Sequence, residues 1–449
     1  MSHSADAQPL TACVRRVAPW TDPVWVATGL RNAPGLAALV ANGAAAGGRW
    51  SLVAADPDLI LTLEGKGKAL FEALRDPVLS VGVIGLAAYD AGARPATGSR
   101  EAVWPDLMLA RYPAILRFDH HARTVEVIGR GVDAIAAGRA ADRASGWLGR
   151  AVPPSPPGPP ADALVEETSG ADYEAAVADV VARIGAGELF QANIARAWGG
   201  RLRCGAEPFD VFLRLQAERA SAYGAFWRVG ERAVVSNSPE LFLSLDGARL
   251  EARPIKGTRP RGGNVVEDRA LTAELASSAK DRAENLMIVD LMRNDLARAA
   301  EPGSVRVEAL CEIESHPTVH HLVSTVSARL KAGLHAADAL EATFPPGSIT
   351  GAPKHQAMKV IARHEPPRGP WCGSLFLVEE GRMTASVLIR TASFEQDAEG
   401  WRFRTLAGAG IVADSVPAHE RSETEVKIKA MAEALVGDQS VSTTSPSRG

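Results

Sequence analysis

The sequence predicts a mixed α/β fold. Short apolar runs bounded by glycine-rich turns are typical of strands, and longer segments with apolar residues every three or four positions are typical of amphipathic helices. The composition is that of a soluble globular protein, with 46% apolar and 23% charged residues and a net charge of -4. At 449 residues the chain is long enough for about three domains or one large α/β body.

Charge and cysteine usage exclude several classes of function. The 49 lysines and arginines are balanced by 53 acidic residues, so no excess positive charge is available to neutralise nucleic-acid phosphates. The longest apolar stretches, such as 81–88, are far shorter than the roughly 20 residues that cross a bilayer, and the first ten residues lack a secretory apolar segment. We therefore expect neither a nucleic-acid nor a membrane partner. The four cysteines form no CxxC pair, which favours a reducing, cytoplasmic location.

A proline-rich segment, VPPSPPGPPA, divides the chain. Because proline cannot continue a helix or a central strand, this stretch is expected to run as an extended, semi-rigid connector. We therefore predict an N-terminal portion over 1–152, a linker over 153–160 and a second domain over 161–436. The polar composition of 437–449 predicts a disordered tail.

The predicted elements follow from local pattern. Before the linker, three apolar runs predict strands and one alanine-rich stretch predicts a helix, at 81–86, 114–118, 124–128 and 134–148 respectively. After the linker, 171–186 has helical apolar spacing and is followed by glycine. The runs 241–245 and 248–252 flank Asp246 and Gly247, a dipeptide preferred in type I′ turns, which predicts a hairpin.

Two further predicted helices, 281–300 and 419–435, carry acidic faces. Their charged side chains are spaced three or four positions apart, so each set lies on one face: Asp281 with Glu284, and Glu420 with Glu423 and Lys427. A solvated surface is the commoner explanation for an isolated acidic pair. If the two sets converge, their oxygen-only chemistry would suit a hard cation such as Mg²⁺, completed by water and a substrate carboxylate.

Lys256, in the segment PIKGTRPRG, is expected at a strand end, where spacing alone favours an exposed lysine. A nucleophilic lysine requires a lowered pKa, which burial or a cationic neighbour would supply. Arg253, Arg259 and Arg261 are the candidate neighbours in sequence.

Two glycine-rich segments are not interpreted as nucleotide sites. GAGIVA at 408–413 matches GxGxxG/A, but too few residues follow it for the βαβ unit that this pattern requires. GSITGAPK at 347–354 lacks the GxxxxGK[ST] spacing, and Pro353 predicts a turn before a helix instead. A zinc site at His316 and His320 is disfavoured because Pro317 interrupts a continuous helix.

Eight segments together resemble the chorismate-utilising enzymes, in the order found in that family and over about 168–435. They are SPELFL, PIKGTRPRG, KDRAENLMIVDLMRNDLAR, HHLVSTV, PPGSITGAPK, IRTA, GAGIVADS and ERSETEVK. The segments at 48–57 and 81–92 resemble the family's N-terminal regulatory portion. The resemblance implies an α/β (α+β) fold of two intertwined subdomains, with large antiparallel sheets packed on each other and helices outside.

The same resemblance implies roles for individual residues. Glu284 and Glu423 correspond to Mg²⁺ ligands, with Asp281 and Glu420 as supporting or water-mediated partners. Positions that hold the carboxylates of chorismate, where cations and exposed N–H groups suit anionic oxygens, are matched by Arg390, Lys427 and the Gly408 and Gly410 backbone. Glu240 matches the general acid that protonates the departing 4-hydroxyl, and His321 and Thr258 match positions beside the ring.

Two positions indicate a branch of the family. The water-using enzymes place a lysine base where this chain has Gln191, which favours ammonia as the nucleophile. Anthranilate synthases read PIAGT, whereas aminodeoxychorismate synthases commonly read PIKGT, as here. Lys256 would then attack C2 of chorismate, and ammonia entering at C4 would expel it to give 4-amino-4-deoxychorismate, the precursor of para-aminobenzoate and folate.

The resemblance also implies partners. No glutamine amidotransferase motif surrounds any cysteine, so we expect a separate glutaminase subunit to supply ammonia and a separate aminodeoxychorismate lyase to act on the product. Phe376 only approximates a substrate-contacting tyrosine, because the usual GY pair is absent. Two alternatives stay open: anthranilate synthase component I, and a non-catalytic chorismate-binding subunit.

Overall fold

The computed structural model describes residues 7–43, 48–64, 70–155, 157–316 and 319–437. The predicted disordered tail lies outside the described residues apart from Gly437. The structure confirms a mixed α/β fold in which large antiparallel sheets are flanked by helices.

The described chain forms 22 strands. Those of the first 160 residues are β1 (Ala12–Pro19), β2 (Ala37–Val40), β3 (Trp50–Ala54), β4 (Leu59–Leu63), β5 (Val83–Ala87), β6 (Leu107–Arg111), β7 (Ala114–Asp119) and β8 (Thr124–Gly131). The later ones are β9 (Val165–Glu166), β10 (Gln191–Arg201), β11 (Tyr223–Val229), β12 (Arg232–Ser238), β13 (Leu241–Asp246), β14 (Arg249–Arg253), β15 (Ile255–Pro260), β16 (Arg306–Ser315), β17 (Val319–Arg329), β18 (Gly351–Ala352), β19 (Ser374–Glu379), β20 (Arg382–Val387), β21 (Thr391–Asp397) and β22 (Gly400–Ile411).

Ten α-helices accompany these strands in the described residues. They are α1 (Pro23–Gly29), α2 (Tyr89–Thr97), α3 (Ala134–Leu148), α4 (Gly170–Gly185), α5 (Pro208–Arg219), α6 (Val265–Ser277), α7 (Ala279–Ala299), α8 (Ala336–Thr343), α9 (Lys354–His364) and α10 (Pro417–Val436). Short 3₁₀ turns occur at Glu72–Arg75, Pro77–Leu79 and Gly347–Ile349. None of the helices in the described ranges is long and apolar enough to span a bilayer.

The strands form two antiparallel sheets. The 12-stranded sheet has the order β1-β8-β7-β3-β2-β11-β12-β21-β22-β10-β18, with β9 beside β10. The 10-stranded sheet has the order β15-β17-β14-β13-β20-β19-β5-β6-β4, with β16 beside β17. Both sheets combine strands from before and after the proline-rich segment, since β2 pairs with β11 and β5 pairs with β19. The two portions are therefore intertwined, as the family resemblance implied.

The core lies between and beside the sheets. The buried cluster between them includes Ile84 of β5, Ile115 of β7 and Leu375 of β19. All five residues of β5 are buried, which explains its continuous apolar sequence VIGLA. Each such aliphatic side chain contributes about 1.5 to 3 kcal/mol on burial.

Local prediction succeeded for the helices with a regular apolar stripe. Helix α3 has the predicted bounds, and α4 is shifted from its predicted bounds by one residue at each end. On α10 the predicted apolar face is buried, with Ile428 and Leu435 at most 3% exposed.

The predicted hairpin forms between β13 and β14, but its predicted turn is wrong. Asp246 pairs with Arg249 in the ladder, so the two loop residues are Gly247 and Ala248. Only Gly247 has a positive φ, +59°, as in a type II′ turn, whereas a type I′ turn requires positive φ at both positions. Lys256 lies at the beginning of the next strand, β15.

Candidate active site

The residues singled out from the sequence converge where β13, β15 and β22 meet α7 and α10. Lys256 of β15 is electrostatically coupled to Glu284 of α7, to Lys427 of α10 and to Glu240 beside β13. A Cβ atom built on Gly410 of β22 would lie 3.5 Å from the Lys256 Nζ. Side chains far apart in sequence therefore share one site.

Lys256 is not the exposed lysine that its spacing favoured. It is half-buried, and desolvation lowers its pKa, with Glu284 opposing the shift and Lys427 adding to it. Two of the arginines expected beside Lys256 form ion pairs with other residues instead. Arg259 pairs with Asp281, and Arg261 pairs with Asp268. Lys427, 171 positions later in the chain, takes their place. A lowered pKa increases the fraction of the amine that is neutral and nucleophilic.

Arg253, the remaining expected neighbour, forms an ion pair with Glu314 of β16. The Lys256 Nζ donates a hydrogen bond to the backbone oxygen of Ser348 at 3.2 Å. This bond fixes the amine at the start of β15.

Glu240 follows β12 and is 5% exposed. Burial raises its pKa to about 7, although a hydrogen bond from Ser348 and the charge of Lys256 oppose the shift. The Ser348 Oγ donates that bond to the Glu240 Oε1 at 2.5 Å. A carboxyl group that titrates near neutrality is suited to proton donation at physiological pH.

Four carboxylates of α7 and α10 interact electrostatically. Burial raises the pKa of Glu284, and the charges of Asp281 and Glu423 add to the shift. Burial also raises the pKa of Glu420, with Glu423 adding to it. At Glu423 the surrounding protein disfavours ionisation, but Lys427, at 2.5 Å, outweighs this effect and lowers the pKa. The Glu284 and Glu423 carboxylates therefore repel each other in the absence of a cation.

This donor set fits a magnesium ion. In the described part of the chain no three His, Cys, Asp or Glu residues converge closely enough to hold a metal by themselves. Mg²⁺ does not require such a cage, since it is commonly bound by one or two carboxylates together with water and substrate oxygens. Glu284 and Glu423 meet that description. Asp281 is ion-paired with Arg259 at 3.1 Å, so its carboxylate is less available as a direct metal ligand.

Arg390 is a cation with no counter-ion in the part of the chain that the structure describes. Its guanidinium makes no hydrogen bond or ion pair with the residues that the structure describes, and burial lowers its pKa. The backbone of Arg390 has φ +50°, a conformation uncommon outside glycine, which indicates that the surrounding structure enforces its direction. A partly enclosed, unpaired guanidinium is suited to a carboxylate ligand.

His321 and Thr258 lie beside this arginine. The His321 Nδ1 is 2.9 Å from the Thr258 Oγ1. Burial lowers the pKa of His321 to about 3, and the charge of Arg390 adds to the shift. The imidazole is therefore neutral at physiological pH. It can donate or accept a hydrogen bond with a bound ligand without adding positive charge.

Because Gly408 and Gly410 of β22 have no side chains, neighbouring atoms can lie very close to the backbone of this strand. A Cβ on Gly410 would lie 2.1 Å from the Gln191 Nε2, and one on Gly408 would lie 2.7 Å from the Ile194 oxygen. Lys427 donates to the Gly408 oxygen at 2.9 Å. Gln191 is 1% exposed, and neither its amide nitrogen nor its oxygen finds a partner among the described residues. These unpaired atoms lie next to Gly410 and Lys256, so Gln191 belongs to the same site.

The structure also settles the remaining sequence motifs. GAGIVA lies at the end of antiparallel β22, outside any βαβ unit, so its rejection as a dinucleotide motif is confirmed. GSITGAPK forms a turn before α9, as expected, with Pro353 one residue earlier than predicted, at the N-cap. Phe376 packs in the core against Phe71 and the Gly85 backbone.

Sequence reasoning missed one residue of the site. Ser348 contacts both Glu240 and Lys256, yet its segment was interpreted only as a turn. A buried hydroxyl between two predicted catalytic groups leaves no periodic signal in the sequence. The only available signal was its membership of a segment that recurs in the resembled family.

Comparisons with known proteins agree with this geometry. Over residues 50–433 the sequence matches the family described as chorismate binding enzyme. Aminodeoxychorismate synthase component 1 of Salmonella typhimurium is 39% identical over 354 residues, which cover 77% of this chain and 75% of that protein. Anthranilate synthase component 1 of Aeropyrum pernix is 40% identical over 270 residues, 60% of this chain and 61% of that protein. The crystal structure of anthranilate synthase component I from Streptococcus pneumoniae superposes with a TM-score of 0.73 at 28% identity, covering 85% of this chain and 92% of that one.

Proposed function

Because the chain belongs to the family of chorismate-binding enzymes, we propose that it converts chorismate and ammonia into 4-amino-4-deoxychorismate and water. The observation that carries this proposal is the half-buried Lys256 amine, which shares Ser348 as a hydrogen-bond partner with the buried Glu240 carboxyl. A direct attack of ammonia on the ring does not require an enzyme amine, whereas a two-step substitution does.

In the first step the Lys256 amine forms a bond to C2 of chorismate. Both ring double bonds shift, from C1=C2 and C5=C6 to C1=C6 and C4=C5, and the C4–oxygen bond breaks. Glu240 gives its proton to the departing hydroxyl, which leaves as water. In the second step ammonia forms a bond to C4, both double bonds shift back, and the C2–nitrogen bond breaks to release Lys256. The proton lost by the ammonia nitrogen restores Glu240.

The remaining residues bind and orient the substrate. The Arg390 guanidinium, which has no partner among the described residues, suits a carboxylate of chorismate, and the backbone of Gly408 and Gly410 matches positions that hold such carboxylates in the resembled family. Glu284 and Glu423 would hold a magnesium ion, which when bound would supply Lewis-acid polarisation of the ring carboxylate. Gln191 cannot act as a base, which favours ammonia over water because ammonia is already a nucleophile.

The names of the relatives support a partner. The Salmonella typhimurium protein is called component 1, which implies a second component. We propose a glutaminase subunit that supplies ammonia, and a downstream lyase that converts the product to para-aminobenzoate for folate synthesis.

Chromatography of the products from chorismate, Mg²⁺ and ammonium salts tests the proposal. We expect 4-amino-4-deoxychorismate from the isolated chain with ammonium, none with glutamine alone, and glutamine-dependent activity once a glutaminase subunit is added. Para-aminobenzoate should appear only after a lyase is supplied. Anthranilate as the product would favour the function named in the Aeropyrum pernix relative, and isochorismate would show that Gln191 does not exclude water.

The metal prediction concerns Glu284 and Glu423. Replacing either by alanine should lower kcat by about 10² to 10³, because the loss of one carboxylate misplaces the ion and the substrate carboxylate with it. Chelation of Mg²⁺ should abolish turnover in the parent enzyme. Titration of Mg²⁺ followed by calorimetry should show weaker binding in both variants. Glu218→Gln, an exposed residue of α5, is the matched control, and unchanged metal affinity in Glu284→Ala would contradict the assignment.

A further inference from the structure

Ser348 lies between the two groups that the proposed function makes the acid and the nucleophile. It is 5% exposed, in the 3₁₀ turn Gly347–Ile349 between α8 and α9. Its hydroxyl donates to the Glu240 Oε1 at 2.5 Å, and its backbone oxygen accepts from the Lys256 Nζ at 3.2 Å. One residue thus contacts both partners of the first chemical step.

The hydroxyl contact determines which carboxyl oxygen can donate a proton. A protonated carboxyl has one O–H donor, and the other oxygen only accepts. Because the Oε1 of Glu240 already accepts the hydrogen of Ser348, the carboxyl proton resides on Oε2. The donor side of Glu240 therefore faces away from Ser348.

The carbonyl contact acts on the amine. A neutral amine has two N–H bonds and one lone pair. When one N–H of Lys256 is held by the Ser348 oxygen, fewer directions remain for the lone pair. Restricting a reacting group in this way lowers the entropy cost of reaching the reactive geometry.

The turn that carries Ser348 is itself fixed. The Thr350 oxygen accepts a bond from the Asn193 backbone N–H at 2.9 Å, which ties the turn to β10. The Thr350 Oγ1 donates to the Pro346 oxygen at 2.8 Å. A Cβ on Gly347 would lie 2.6 Å from Leu291 of α7, so the turn packs closely on that helix. These contacts hold the turn on both sides and therefore fix the position of Ser348.

We propose that Ser348 is a positioning residue that orients the proton on Glu240 and the lone pair of Lys256 toward the same substrate. This inference rests on the proposed function for the roles of Glu240 and Lys256. It assigns to one serine, through its hydroxyl on Glu240 and its backbone oxygen on Lys256, a coupling of proton donor and nucleophile that neither group achieves alone.

The test compares Ser348→Ala with Ser348→Thr, which keeps the hydroxyl. For chorismate consumption with ammonium, Ser348→Ala should lower kcat by about 10- to 100-fold with KM nearly unchanged, because orientation and not binding is lost. Its rate should also fall off at a higher pH than that of the parent enzyme, since the hydrogen bond from Ser348 opposes the rise in the Glu240 pKa. Ser348→Thr should restore both properties to within a few-fold.

Ser327→Ala is the matched control. Ser327 is 3% exposed and donates to the Glu308 carboxylate at 2.6 Å, but it lies on β17 outside the site. This variant should keep the parent kcat and pH profile. If Ser348→Ala does not fold, Ser348→Cys retains the volume with a weak donor and should show the same direction of change.

A second readout does not depend on the reaction. Infrared titration of the buried carboxyl, identified by its loss in Glu240→Gln, should show that Ser348→Ala titrates at higher pH. Parent-like kcat together with an unshifted carboxyl titration would overturn the inference, and so would a failure of Ser348→Thr to restore the titration. If the proposed function is wrong, the parent enzyme should instead form a product other than 4-amino-4-deoxychorismate. The carboxyl titration would still report on the contact between Ser348 and Glu240.

Discussion

Replacing Lys256 with alanine should lower kcat for chorismate turnover with ammonium by about 10³-fold or more. The substitution removes the amine that forms the first bond to the ring, and loss of a covalent nucleophile is among the most damaging changes an enzyme can undergo. The pKa of this amine is lowered by desolvation, which favours the neutral form that the attack requires. Initial rates measured at saturating chorismate and ammonium check this expectation.

The control for this variant is Lys359→Ala, which removes an exposed lysine of α9 and should leave the rate unchanged. A Lys256→Ala enzyme within about tenfold of the parent rate would show that ammonia attacks the ring directly, as in a one-step substitution. That outcome would remove Lys256 from the mechanism and would favour the anthranilate alternative.

The second large effect is expected at Glu240. Glu240→Gln keeps the shape of the side chain but cannot donate an acidic proton, so kcat should fall by about 10²- to 10⁴-fold. In the parent enzyme the rate of the first step should fall as pH rises through about 7, because Glu240 then loses the proton it must deliver. This descending limb should be absent from the residual activity of Glu240→Gln.

The burial of Glu240 should also make the stability of the folded protein depend on pH. Its pKa is raised in the folded state, so its contribution to stability is fully present below the ordinary glutamate pKa and is lost as pH rises through about 7. Glu240→Gln should therefore unfold at a higher temperature than the parent enzyme above neutral pH. An unchanged pH profile together with unchanged thermal stability would contradict both the buried charge and the acid role.

Local pattern predicted the helices more fully than the site. The charged faces of α7 and α10 follow from spacing within a single helix, so the positions of Glu284 and Glu423 on those faces could be predicted. The resemblance to the chorismate-utilising enzymes supplied the remaining candidates, because periodicity says nothing about Arg390 or His321. The structure then couples Glu284 and Glu423 to the Lys256 amine, and Arg390 to His321.

The rest depended on contacts between distant parts of the chain. Ser348 is 92 positions from Lys256 and 108 from Glu240, and no local pattern reports such a contact. The cationic neighbour of Lys256 was sought among nearby arginines, but the fold brings Lys427 there instead. The turn at Gly247 differs from its prediction for a local reason, because ladder pairing of Asp246 with Arg249 decides which residues form the loop.

Intact-mass analysis of the protein after incubation with chorismate and Mg²⁺, in the absence of ammonia, tests the central claim most directly. The second displacement then lacks its nucleophile, so the parent chain should gain the mass of chorismate less one water, and fragmentation should place the added mass on Lys256. Lys256→Ala should gain nothing, and adding ammonium should discharge the adduct from the parent chain. An adduct on another residue, an unchanged adduct in Lys256→Ala, or turnover of chorismate to 4-amino-4-deoxychorismate without any adduct would contradict the account.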